Sequence, residues 1–107
     1  MPYMVVNIWY PAHKIDEVVK IGFEVVQKYP PDKDLGERIL PLATNNSERG
    51  VEGMIIWEIK EGKLEEALRR AGEAYAMFRG IEGFKHTIIV WSTAAEAYAT
   101  IGKKSPI

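Results

Sequence analysis

Four side chains could act together on a small molecule: Asn7 and Trp9 near the start, Trp57 in the middle and His86 near the end. Asn7 is an amide inside an apolar run, and a buried amide needs a hydrogen-bonding partner or a ligand. The two indoles offer flat apolar walls with one N–H donor each, and an imidazole exchanges protons near neutral pH. Together these types could line an apolar pocket for a small aromatic or otherwise hydrophobic molecule, with a few polar groups to orient it. Tyr75 adds a hydroxyl from a helical stripe. The plainer account makes Trp9 and Trp57 core or subunit-contact aromatics, pairs Asn7 with a neighbouring backbone group, and leaves His86 packed or at the sheet surface. His13 stands beside Pro11, where a strand gives way to a helix. It is either a donor or acid-base group at that helix start or an exposed first-turn residue.

Composition narrows the chemistry. With no cysteine there is no disulfide, thiolate nucleophile or cysteine-held metal, and two isolated histidines are a thin supply of nitrogen ligands. No metal site and no cofactor are expected. Fourteen basic against fifteen acidic residues give no overall field toward a phosphate backbone, so nucleic acid is not an expected partner. Phosphate-binding glycine loops, a nucleophile elbow, paired metalloprotease histidines and a calcium-binding loop are all missing. Asn45-Asn46-Ser47 matches a glycosylation sequon, but without a secretory signal it reads as a polar turn. The run Tyr3 to Tyr10 is too short to span a bilayer and lacks the features of a signal peptide, so the expected location is cytoplasmic, with no membrane partner.

The elements that must position these residues follow from periodicity. Tyr3 to Tyr10 is β-branched and aromatic and stops at Pro11, as a strand does. From Ala12 to Tyr29, Ile15, Val18, Val19, Gly22, Val25, Val26 and Tyr29 recur at three- and four-residue spacing, the mark of an amphipathic helix ended by Pro30-Pro31. Glu37 to Ala43 is a weaker strand, at an edge because of Pro41. The turn-rich Thr44 to Gly50 leads into a third strand over Val51 to Lys60, making a hairpin. Lys63 to Arg79 is a second helix with Leu64, Ala67, Leu68, Ala71, Tyr75 and Phe78 on its apolar stripe. Phe84 to Trp91 is a fourth strand, and the capping-box spacing from Thr93 to Glu96 starts a short helix over Ala94 to Ile101. Lys103 to Ile107 is a loose tail.

The 107 residues suit one domain, and 47% hydrophobic with 27% charged residues suits one built on apolar burial. The order β-α-β-β-α-β, closed by right-handed crossovers, is an α+β ferredoxin-like arrangement: a four-stranded antiparallel sheet with both helices on one face and a short C-terminal helix. The other face should then be polar. Instead Tyr3, Val5, Asn7 and Trp9 point one way and Met4, Val6, Ile8 and Tyr10 the other, while strand four divides into Phe84, His86, Ile88 and Val90 against Lys85, Thr87, Ile89 and Trp91. Two apolar faces imply a partner, and a homodimer joined sheet to sheet is the economical one. The alternative is that the terminal helix folds back over that face.

This order, the helix opening Gly62-Lys63-Leu64-Glu65-Glu66-Ala67, the aromatic last strand and the doubly apolar strands resemble the dimeric α/β-barrel superfamily. The resemblance covers nearly the whole chain and is one of architecture. That superfamily includes cofactor-independent, antibiotic-biosynthesis-type monooxygenases, haem-degrading enzymes, lactone isomerases and effector-binding modules, so the fold alone implies little about function. In the haem-degrading branch an asparagine on the first strand and a tryptophan on the third lie beside the haem, which Asn7 and Trp57 could match. The iron ligand there is a histidine of the second helix, and Lys63 to Arg79 has none, so haem is not expected. The reading that follows is a homodimer binding a small hydrophobic or aromatic molecule between helices and sheet, with Asn7, Trp9, His13, Trp57, Tyr75 and His86 as candidate contacts. Its alternatives are a monooxygenase of the cofactor-independent type and a structural or regulatory dimerisation module.

Overall fold

Alternating burial shows where strand β1 (Tyr3–Tyr10) meets the core: Met4, Val6, Ile8 and Tyr10 are all buried on one face. The computed structural model describes residues 1–107. After β1 come a 3-10 turn (Ala12–Lys14), α1 (Ile15–Lys28), β2 (Gly36–Ser47), β3 (Gly50–Ile59), α2 (Leu64–Ala76), β4 (Lys85–Trp91) and α3 (Ala94–Thr100). The sheet runs β2-β3-β1-β4, with every neighbouring pair antiparallel. That order is the ferredoxin-like one, an α+β fold with α1 and α2 on one face of the sheet. No helix is long and apolar enough to cross a membrane.

Register assigns the faces. Met4, Val6, Ile8 and Tyr10 pair with Trp57, Ile55, Gly53 and Val51 of β3, and Met4, Val6 and Ile8 pair with Val90, Ile88 and His86 of β4. These residues share the helix side. Tyr3, Val5, Asn7 and Trp9 pair with Glu58, Ile56, Met54 and Glu52 on one flank and with Trp91, Ile89, Thr87 and Lys85 on the other, forming the open side.

β2 extends well beyond the expected Glu37 to Ala43. Thr44 to Ser47, read from sequence as turn, pair with Gly53 to Gly50, and the reversal shrinks to Glu48-Arg49. Arg49 N–H donates to Ser47 Oγ (3.1 Å) within the reversal. Gly50 closes it at φ +107°, a conformation open to glycine, and a side chain there would run into the Tyr10 carbonyl. Pro41 sits on an edge strand as expected, in a stretch where register shifts between Arg38 and Leu40 and again between Leu40 and Ala43.

The helices pack unequally. α2 lays Ala67, Ala71 and Ala74 against the sheet, and just beyond it Phe78 stacks on Phe84 (centroids 4.5 Å), which in turn stacks on Tyr10 (6.2 Å). α1 buries only Val18. Ile15, Val19 and Val26, expected on its inward stripe, are 46%, 49% and 55% exposed: Val18, Ile21 and Val25 make the contact with the core, while Val19 and Val26 border an open groove. α3 carries the expected capping box: Glu96 N–H donates to Thr93 Oγ1 (3.1 Å) and Thr93 N–H to Glu96 Oε1 (2.7 Å). It does not cover the open face, where Ile89 and Trp91 stay 44% and 58% exposed.

Candidate functional site

Space remains on the helix side because several positions facing it carry little side chain. Gly22 of α1, where a Cβ would meet nothing within 4 Å, and Ala67, Ala71 and Ala74 of α2 border a cavity of about 520 Å³ between the helices and the sheet. Its lining includes the exposed Val19 and Val26 of α1 and Arg38 and Leu42 of β2, so solvent reaches it between these elements. Twenty of its 29 lining residues are hydrophobic, which suits an apolar occupant, and the volume is that of ordinary small-molecule sites, about 300–1,000 Å³.

The polar groups are few and come from different elements. Tyr75 projects from α2, and burial pushes its phenol up to about 12, partly offset by the positive charge of Arg38. Its hydroxyl makes no hydrogen bond within the protein, yet no buried side-chain polar atom lacks a partner, so this hydroxyl reaches open space. Arg38 faces Trp57 across the β2–β3 ladder and holds its guanidinium 5.8 Å from the indole centroid. Arg70 of α2 donates to the Pro30 carbonyl and lies 5.6 Å from the Tyr29 ring, closing the end of the cavity where α1 exits. Asp32, the only acid in the lining, accepts from Asp34 N–H at 2.9 Å and so shapes the loop before β2. No group of three or more histidine, cysteine, aspartate or glutamate side chains is placed to hold a metal.

The residues singled out from sequence separate into three places. Trp57 and Tyr75 both line the cavity. His86 is outside the lining but on the same side of the sheet, its exposed ring tilted against Tyr75 at 5.8 Å. Asn7 and Trp9 lie on the open side, across the sheet from Trp57, because β1 pairs Asn7 with Met54 and Met4 with Trp57. Asn7 borders a shallower apolar depression there with Tyr3, Val5, Ile56 and Trp91. His13 is exposed in the 3-10 turn, away from both. The structure therefore does not bring Asn7, Trp57 and His86 into one site.

Sequence reasoning passed over Arg38, Arg70 and the small residues. Gly22, Ala67 and Ala71 belong to apolar stripes; Ala67 and Ala71 do pack against Met4 and Ile59, and a stripe does not reveal that space is left beside such small side chains. Arg38 lay in the weakest strand segment, next to register shifts that alternation cannot reveal.

Neither a protein-family model nor a curated protein matches the chain. Among solved structures, it is similar to a formyltetrahydrofolate deformylase from Pseudomonas putida at 4% identity and a TM-score of 0.47, covering 83% of this chain and 28% of that one. It is also similar to a candidate monooxygenase from Shewanella loihica, at 14% identity and a TM-score of 0.49, with 86% of this chain and 93% of that one covered. A protein from Agrobacterium tumefaciens gives 19% identity and a TM-score of 0.44, over 83% and 91%.

Proposed function

We propose that this protein binds a small hydrophobic or aromatic molecule in the helix-side cavity and works as a homodimer joined through the open sheet face. The observation that carries the binding reading is the cavity itself: about 520 Å³, mostly apolar, with the Tyr75 hydroxyl and the Trp57 ring at its wall. An apolar ligand gains by leaving water, at roughly 25 cal/mol per Å² of apolar surface buried, and the few polar groups orient it. Binding is favoured over oxygenation by the lining of the cavity. A cofactor-independent oxygenase needs a base beside its substrate. The lining contains no histidine, and its one carboxylate, Asp32, already accepts from the Asp34 amide.

Support for the dimer is the surface that a single chain leaves wet. Met54, Ile89 and Trp91 on the open side are 40%, 44% and 58% exposed, an arrangement that favours a partner of the same kind across a two-fold axis.

Gly22 offers a clean test of the cavity. A side chain built there meets nothing within 4 Å, and the position lies mid-helix on the cavity wall. Gly22→Leu replaces a poor helix former with a good one, a gain of up to about 1 kcal/mol, while filling the space a ligand would use. Titration with an uncharged fluorescent hydrophobe such as N-phenyl-naphthylamine is expected to show one saturable site per chain. The Leu variant should be at least as stable to heat and bind at least tenfold more weakly. Equal affinity in the two proteins would place the probe elsewhere and overturn the reading.

A further inference from the structure

The cavity has an unbalanced charge at its wall. Three charged side chains line it: Arg38, Arg70 and Asp32. Arg70 is committed to the Pro30 carbonyl and the Tyr29 ring, and Asp32 to the Asp34 amide. Arg38 is committed to nothing with an acceptor. The molecule's two ion pairs join the N-terminal amine to Glu96 and Lys14 to Glu17, and the one arginine side chain that donates a hydrogen bond is Arg70. Arg38 rests against the Trp57 ring, which braces the long side chain and keeps the planar donor fork beside the cavity. A guanidinium presents its donors in the geometry that a carboxylate accepts in pairs.

We infer that the natural ligand is an anion: a flat hydrophobic acid whose ring system fills the cavity and whose carboxylate is held by Arg38, with the Tyr75 hydroxyl as a second donor. This inference rests on the cavity reading above and narrows it from any apolar molecule to an amphipathic acid. Two independent features support it. The lining has no acid free to pair with Arg38, so a carboxylate at the cavity mouth would meet a guanidinium whose donors no protein acceptor occupies. The Tyr75 hydroxyl reaches open space without a protein acceptor, and a donor of that kind is satisfied by a ligand oxygen. Because Arg38 is solvent-exposed, the carboxylate would sit at the cavity mouth with its own hydration largely kept, and the rings would go inward.

The test compares two ligands of similar shape, the anion naphthoate and the neutral naphthamide, by calorimetric titration at neutral pH. The proteins are the wild type, Arg38→Gln, Arg38→Lys and Gly22→Leu. Wild type is expected to bind naphthoate at least tenfold more tightly than naphthamide. Arg38→Gln should bring the two affinities to within about twofold of each other, and Arg38→Lys should keep part of the preference, since a point charge replaces a two-pronged donor. Gly22→Leu should weaken both ligands. Equal binding of the two ligands to wild type, with both weakened in Gly22→Leu, would overturn the anion inference and leave the cavity reading standing. A preference for naphthoate that survives Arg38→Gln would remove Arg38 from the site. If neither ligand binds wild type, the cavity reading falls and this inference falls with it.

Discussion

Tyr75 is where burial and chemistry meet most closely. Its phenol is pushed up to about 12 chiefly because the charged form would lose its hydration against the cavity wall. The folded protein therefore holds the Tyr75 proton more tightly than the unfolded chain does. The associated stabilisation is fully present below pH 10, the ordinary phenol value, and is lost as pH rises from 10 toward 12. Tyr75→Phe removes that dependence. Urea unfolding at neutral pH and again near pH 12 should show wild type losing about 2 kcal/mol more than the Phe variant over the interval. Identical losses would mean that the Tyr75 hydroxyl is no drier in the fold than in the unfolded chain. Tyr75 and Trp57 stand out in the sequence by their types and their positions on a stripe and a strand, and both line the cavity. The company they keep is not legible there. Alternation within β1 separates Asn7 from Met4, but only the pairing register tells which of those two faces Trp57, and register is set by the turn and by long-range packing.

Among the elements, the strongly periodic ones were readable and the compromised ones were not. β1, α2 and β4 carry clear patterns, and their observed bounds lie within a few residues of the expected ones. β2 was cut short because Thr44, Asn45, Asn46 and Ser47 are turn formers by type, yet here they pair with β3 on an exposed ribbon where polar side chains meet water without penalty. α1 shows the converse: apolar spacing predicts a buried face, but the cavity beneath it leaves Val19 and Val26 half exposed. α3 is the element held most locally, so it gives a local prediction. Thr93→Ala removes the cap, which is typically worth about 1 kcal/mol to the helix, and should fray Ala94–Thr100 without altering backbone shifts in the sheet, as amide NMR would show. The same cap depends on pH. Hydrogen bonding from the Thr93 backbone holds the Glu96 carboxyl below its usual range, so its contribution is present above that range and disappears as acid protonates Glu96. Fraying that spreads into β4 would show that α3 supports the sheet and not only itself.

At the scale of the whole molecule, the chain is thin. Its extents are 49 × 31 × 17 Å and its radius of gyration is 15.5 Å, against about 13 Å for a compact domain of this length. One helix layer on one sheet layer, with the β2–β3 ribbon reaching outward, accounts for that shape and for a core of only 16 buried residues in 107, which is meagre for a chain that must stand alone. A second copy placed sheet to sheet would convert the open side into an interior. Ile89→Asp tests this without threatening the single chain's fold, because Ile89 is 44% exposed there. A carboxylate buried in an apolar interface has no partner, so sedimentation at micromolar concentration should find a dimer for wild type and a monomer for the variant. A two-chain protein with one small-molecule site in each chain should give, in native mass spectrometry of wild type with N-phenyl-naphthylamine, a two-chain ion carrying up to two bound probes. A single-chain ion at every concentration, or a two-chain ion that takes up none, would contradict that reading.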